Sequence, residues 1–266
     1  MFEDPEYTGV VFSVVDAGHN VDVANSSFAK NLGGADDIGM GTVLSVEYGA
    51  SANVLNCEFT MNSAGFSGGS INSDGRLSVE MSTFHLNHAD VHGGAISFQG
   101  VASIESGVFS SNTAGYQSDY STFGTGGAIV AQGQLSMRTS TLVKNHAFEY
   151  GGCISAGTNS NSLTASMKLE SCLFEQNWAL IAGDALYYAS LESSHITKSH
   201  FGTHENAPLY IWLRQDNAVL DIGGSKFACS QIFNSEIVET KKGETGTIIF
   251  SGVEVCDGGW FGNEDN

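Results

Sequence analysis

The side chains able to bind metal, move protons or attack a substrate are few, and their spacing decides which chemistry is open. His85, His88 and His92 fall in one short stretch and His195, His200 and His204 in another, a density that suits zinc. A β-eliminating polysaccharide enzyme needs a basic side chain over calcium-binding carboxylates, and a glycosidase needs two acids at a fixed separation. The arginines are Arg76, Arg138 and Arg214, far apart, and no acidic cluster keeps step with them. Surface charge is therefore their expected role. Asp36 with Asp37, Asp184, and Asp216 with Asp221 are the loop acids open to calcium. No other cofactor is expected, and neither is a catalytic residue.

Five cysteines leave at least one thiol outside any intrachain pairing. Cys229 and Cys256 are the candidate disulfide in an oxidising compartment, and the Asn25-Ser-Ser sequon makes Asn25 a candidate glycosylation site. Trp178, Tyr187, Tyr188, Tyr210 and Trp212 concentrate aromatics in one region, as core or as a strip contacting sugar or protein.

Totals narrow the partners. Ten Lys plus Arg against 29 Asp plus Glu give a net charge of −19, which repels nucleic acid, anionic lipid and uronate polymers. Neutral glycans, other surface proteins and copies of the chain itself are the compatible partners. No apolar run reaches the roughly 18 residues of a membrane-spanning helix. The first ten residues lack the basic and apolar regions of a secretion signal, so the chain is expected to be a processed or excised piece of a longer protein. Thirty-three glycines, two prolines and only 15% charged residues describe many turns and little helix.

These residues are carried by a repeat. An aromatic or leucine anchor recurs at Phe28, Phe59, Phe84, Phe109, Leu142, Phe174, Phe201, Phe227 and Phe261. Three positions on stand Asn31, Asn62, Asn87, Asn112, Asn145 and Asn177. Five positions before each anchor comes an apolar residue, from Val23, Val54 and Val79 to Cys256, and two before it a small one, such as Ser26, Cys57, Ser82 and Cys172. Buried thiols are expected for Cys57 and Cys172 in that column.

A period near 25 with variable insertions is too short for a pair of helices and fits one coil of a parallel β-helix. Alternation in "RLSVEMSTF" places Leu77, Val79 and Met81 on one buried strand face. Stacking coils about 4.8 Å apart sets each anchor ring on the next and predicts nine coils, a rod about 40 Å long. Asn suits the repeated turn because it tolerates left-handed backbone angles and its amide can bond the Asn one coil away. Small residues two positions later, Ala64, Ala89, Ala114, Ala147 and Ala179, fit inside the turn, and "GGSI", "GGAI" and "GGCI" lead into the next strand. The His88 and His146 positions are equivalent, one past Asn, with Thr113 between, which predicts an exposed turn rather than a metal site. Residues 1–266 are expected to form one domain of this kind, without evident caps, and hence part of a longer array or a stacking assembly.

"GGAI" alternating with "FxxN" resembles the repeat of the chlamydial polymorphic outer-membrane proteins, which are right-handed parallel β-helix passengers. The resemblance spans nearly the whole chain, is fullest from the third to the sixth coil, and fades through "SHFGTH", "SKFACS" and "GWFGNE". It implies a right-handed fold and a non-catalytic structural or adhesive role at a cell surface or outside the cell, in a coat or filament. The same fold also resembles pectin lyases, so a carbohydrate-binding or carbohydrate-active protein is the alternative.

Overall fold

The computed structural model describes residues 11–14, 16–33, 41–117, 122–157, 164–202, 211–213, 219–227, 238–240, 247–249 and 254–255. It is a single-stranded parallel β-helix in which successive coils add strands, in register, to the same parallel sheets. Among the described residues there are three nine-stranded parallel sheets, one five-stranded parallel sheet and a small antiparallel hairpin. No α-helix occurs among them.

The anchor sheet runs from Ser27–Ala29 to Glu254–Val255. Its register pairs Phe28 with Phe59, Phe59 with Phe84, and Phe84 with Phe109. The Phe59 and Phe84 rings lie 4.7 Å apart, and those of Phe84 and Phe109 4.8 Å apart, stacked and nearly parallel in both cases. Leu142 interrupts the file, which resumes at Phe174, Phe201 and Phe227 with centroid spacings of 4.8 and 4.6 Å. Offset aromatic stacking adds to the roughly 1.5–3 kcal/mol gained by burying each ring.

The long sheet, from Asn20–Ala24 to Thr247–Ile249, carries the apolar column on alternate residues. Leu77 and Val79 are buried, but Met81 is 53% exposed. The expected face ends at Val79, because Met81 has φ 47° and this left-handed turn points its side chain outward.

Thirteen non-glycine residues have φ near 50° among the described residues, and most mark two corners of every coil. Asn25, Asn56, Met81, Ser106, Thr139, Ser171 and Lys198 precede the small column. Lys30, Met61, Leu86, Ser111, Lys144 and Gln176 precede the Asn column. The left-handed residue is therefore the one before the column Asn, a correction to the sequence reading. A left-handed non-glycine residue costs about 1–2 kcal/mol. Twelve of them are held by their own N–H, which donates to a carbonyl of the next coil, as Met61 does to His85 and Leu86 to Ser110. Because the backbone dictates the corner, Met, Leu, Lys and Gln all serve there.

The Asn column has a different task. Asn87 donates from both its backbone N–H and its Nδ2 to Asn112 Oδ1, at 3.0 Å each. The same Nδ2 donates at 2.9 Å to the Phe59 carbonyl, one coil back. Asn62, Asn112 and Asn145 repeat the pattern. These four side chains are at most 1% exposed, so every amide atom is sealed from water and paired. A parallel hydroxyl file occupies the small column, where Ser82, Ser140 and Ser199 accept the backbone N–H of Cys57, Gly107 and Cys172.

The five-stranded sheet, from Ser63–Ala64 to Trp178–Ala179, carries the buried alanines. The Gly pair follows. A Cβ at Gly127 would run into the Gly152 carbonyl oxygen, which is why this position must be bare. The chain then enters the third nine-stranded sheet, from Phe12–Val14 to Val238–Thr240.

The last coil differs from the expected one. Phe227 pairs in register with Val255, 28 residues on, rather than with the expected Phe261, and anchoring the repeat on aromatics missed this position. Cys229, Cys256, His204 and Phe261 lie outside the described residues.

The amide file predicts a position-dependent cost. Asn112→Leu removes buried bonds to both neighbouring coils and is expected to destabilise by about 3–5 kcal/mol, against about 1 kcal/mol for Asn31→Ala at the half-buried end. Urea unfolding followed by circular dichroism measures both, and equal small losses would contradict the assignment.

Candidate functional site

Strand alternation on the third sheet sends every middle residue outward. Ile96 and Phe98, Ile129 and Ala131, Ile154 and Ala156 belong to the core cluster, and between them Ser97, Val130 and Ser155 face away from it. One register file runs Asn72, Ser97, Val130, Ser155, Tyr187. These outward side chains are nonetheless 9% exposed or less. A ridge covers them on one side, built from the segments that precede each Gly pair. Single parallel bridges join Ser67 to His92, His92 to Thr125, Thr125 to Tyr150, and Tyr150 to Ala182, which makes the ridge continuous.

Between the ridge and the turn after the third sheet lies a groove of about 280 Å³. Asn72, Ser97, Ser155 and Tyr187 form its floor, with Gln99 and Gln132 along one rim and Phe66, His92 and Tyr150 along the ridge. The Tyr150 and Tyr187 rings stack at 4.7 Å. His92 Nδ1 bonds Thr125 Oγ1 at 2.9 Å, its ring meets Phe66 edge-on, and burial lowers its pKa, so the imidazole is neutral at neutral pH. The described lining holds no lysine or arginine and one carboxylate, Glu149. A single carboxylate among the described lining leaves the groove suited to recognition by hydroxyl, amide and aromatic groups rather than to the paired-acid chemistry of a glycosidase.

Other sequence candidates are dispersed. His85 bonds Ser110 Oγ at 2.8 Å, and His88 bonds Asp90 at 2.9 Å. His195 lies 3.5 Å from Asp221 on the long sheet, and His200 sits on the anchor sheet. Among the described residues no three His, Cys, Asp or Glu side chains converge as metal ligands. Asp184 Oδ1 accepts the Ala179 N–H, so this acid braces the turn where other coils carry the second glycine. Asp36, Asp37 and Asp216 lie outside the described residues.

The aromatic strip divides. Tyr188 points inward, is fully buried, and donates to the Glu192 carbonyl while accepting from Ser194. Tyr187, its neighbour, faces the groove. Trp178 stands on the five-stranded sheet against His146, and Trp212 pairs in register with Tyr187. Tyr210 lies outside the described residues. One strip cannot form, because adjacent strand residues face opposite sides. Nothing in the spacing of the sequence marked the groove, although the polar middle residue of "AISF" and "CISA" was a signal for an outward, wetted position.

Cys57, Cys153 and Cys172 are buried free thiols, and burial pushes Cys172 up to about 11. This excludes ready thiolate chemistry there. Asn25 is exposed, with φ 50°, and its Oδ1 accepts from Asn56 Nδ2.

His146 departs from the exposed turn expected of it. Its ring lies 4.5 Å from that of Phe148 and 3.9 Å from that of Trp178, and its Nε2 has no hydrogen-bond partner among the described residues. Burial lowers its pKa from 6.5 to about 4. A depressed histidine pKa favours the neutral ring in the fold. Its contribution to stability is complete above pH 6.5 and is lost as pH falls towards 4. With the partial exposure discounted, the loss is of order 1–2 kcal/mol. His146→Thr, matching Thr113 in the same column, should flatten the melting-temperature profile between pH 6.5 and 4 relative to the parent. Identical slopes would contradict the buried neutral ring.

No protein-family model, characterised protein or solved structure matches this chain.

Proposed function

We propose that this chain is a non-catalytic β-helix that acts outside the cell or at its surface, as a structural or adhesive segment of a coat or filament. The observation that carries the reading is the division of labour within each coil. The anchor, Asn, Ser and Ala columns face inward and serve the stack, while the outward positions vary from coil to coil. A scaffold of this kind offers a long, stiff lateral surface at little expense in sequence. The "GGAI" and "FxxN" resemblance to polymorphic outer-membrane protein passengers supports the surface role, and the charge of −19 disfavours anionic polymers as partners. Cys57, Cys153 and Cys172 are buried, so these thiols are not presented at the outer faces.

The carbohydrate-active alternative is tested by turnover. The intact chain, incubated with neutral and uronate polysaccharides with and without added calcium, is expected to release neither reducing ends nor unsaturated products. Turnover of any of them would overturn the non-catalytic reading. Sedimentation at rising protein concentration, run alongside, is expected to show self-association, and a strictly monomeric particle would remove the coat or filament.

A further inference from the structure

The groove on the third sheet is built in a way that the scaffold does not require. A floor position that faced only the ridge would be most stable as an apolar residue, as Val130 is, fully buried in that file. One coil on, Ser155 occupies the equivalent position at 1% exposure, lines the groove, and its Oγ has no hydrogen-bond partner among the described residues. A buried hydroxyl without a partner keeps an unrecovered desolvation cost, and a ligand that bonds it recovers that loss on binding. Asn72 and Ser97 continue the polar floor, and Gln99 and Gln132 line the rim.

We infer that this groove binds a neutral saccharide. Amide and hydroxyl side chains each offer both a donor and an acceptor, which is the combination that vicinal sugar hydroxyls demand. The stacked Tyr150 and Tyr187 rings supply a flat apolar wall for the C–H face of a pyranose. The lining carries no cation to hold a phosphate, sulfate or uronate, and Glu149 together with the net charge opposes any anion. At about 280 Å³ the groove lies at the lower end of small-molecule sites, room for a segment the size of a disaccharide. The inference is independent of the coat or filament reading, since a lateral groove serves a monomer equally well.

Saturation-transfer NMR on the intact chain tests it, with cellobiose, maltose and di-N-acetylchitobiose as neutral probes and digalacturonate as the anionic control. At least one neutral disaccharide should bind, and digalacturonate should not. Ser155→Val, which copies the neighbouring Val130, keeps the packing and should weaken binding at least fivefold. Tyr150→Leu should do the same, and His146→Thr, outside the groove, should leave affinity unchanged. Melting curves confirm that each variant folds. Binding of none of the neutral probes, preference for the uronate, or neutral binding untouched by both groove substitutions would overturn the inference.

Discussion

Everything in this molecule depends on one constraint: polar groups placed inside a stack must be satisfied by the coil above and the coil below. The asparagine file meets it in full. Each interior amide accepts two bonds on Oδ1 and donates two from Nδ2, so a side chain normally confined to surfaces sits at or near zero exposure. The arrangement also fixes register. A coil that slipped by one residue would bury an outward side chain and leave a chain of amides without partners, a penalty repeated at every rung. The benzyl file alone could not enforce this, because Leu142 stands in it without disturbing the stack.

Rigid corners follow from the same constraint. Residues as different as Met61, Leu86 and Lys144 adopt left-handed angles since the inter-coil hydrogen bond of each holds the backbone there. The corner sequence is thus free to vary, and with it the outer rim. The Gly pair is less free, as the Gly127 example shows, and it sets where the third sheet begins. The groove arises from that geometry. The ridge before each Gly pair and the floor after it belong to the same coil, and the lateral cleft lies between them.

Repetition made the architecture legible in the sequence, because a column of phenylalanines or asparagines with a constant offset can be read without coordinates. Reading failed where the column type was chemically degenerate. Val255 pairs in the anchor register without being aromatic, and Met81 follows the strand alternation yet turns out of it at a corner. The site was harder still. Ser155, Gln132 and Tyr150 are separated along the chain and are ordinary residue types, and only the placement of ridge against floor brings them together. The conspicuous histidines and the aromatic strip drew attention instead, and strand alternation set them on different faces.

Hydrogen exchange of the side-chain amides tests the central claim most directly. With nitrogen-labelled asparagine, the Nδ2 protons of Asn62, Asn87, Asn112 and Asn145 should exchange as slowly as the most protected backbone amides, while those of exposed Asn20 and Asn53 exchange at solvent rates. Rapid exchange at all six positions would show that the interior amide file does not exist, and the account of register, corners and groove would fall with it.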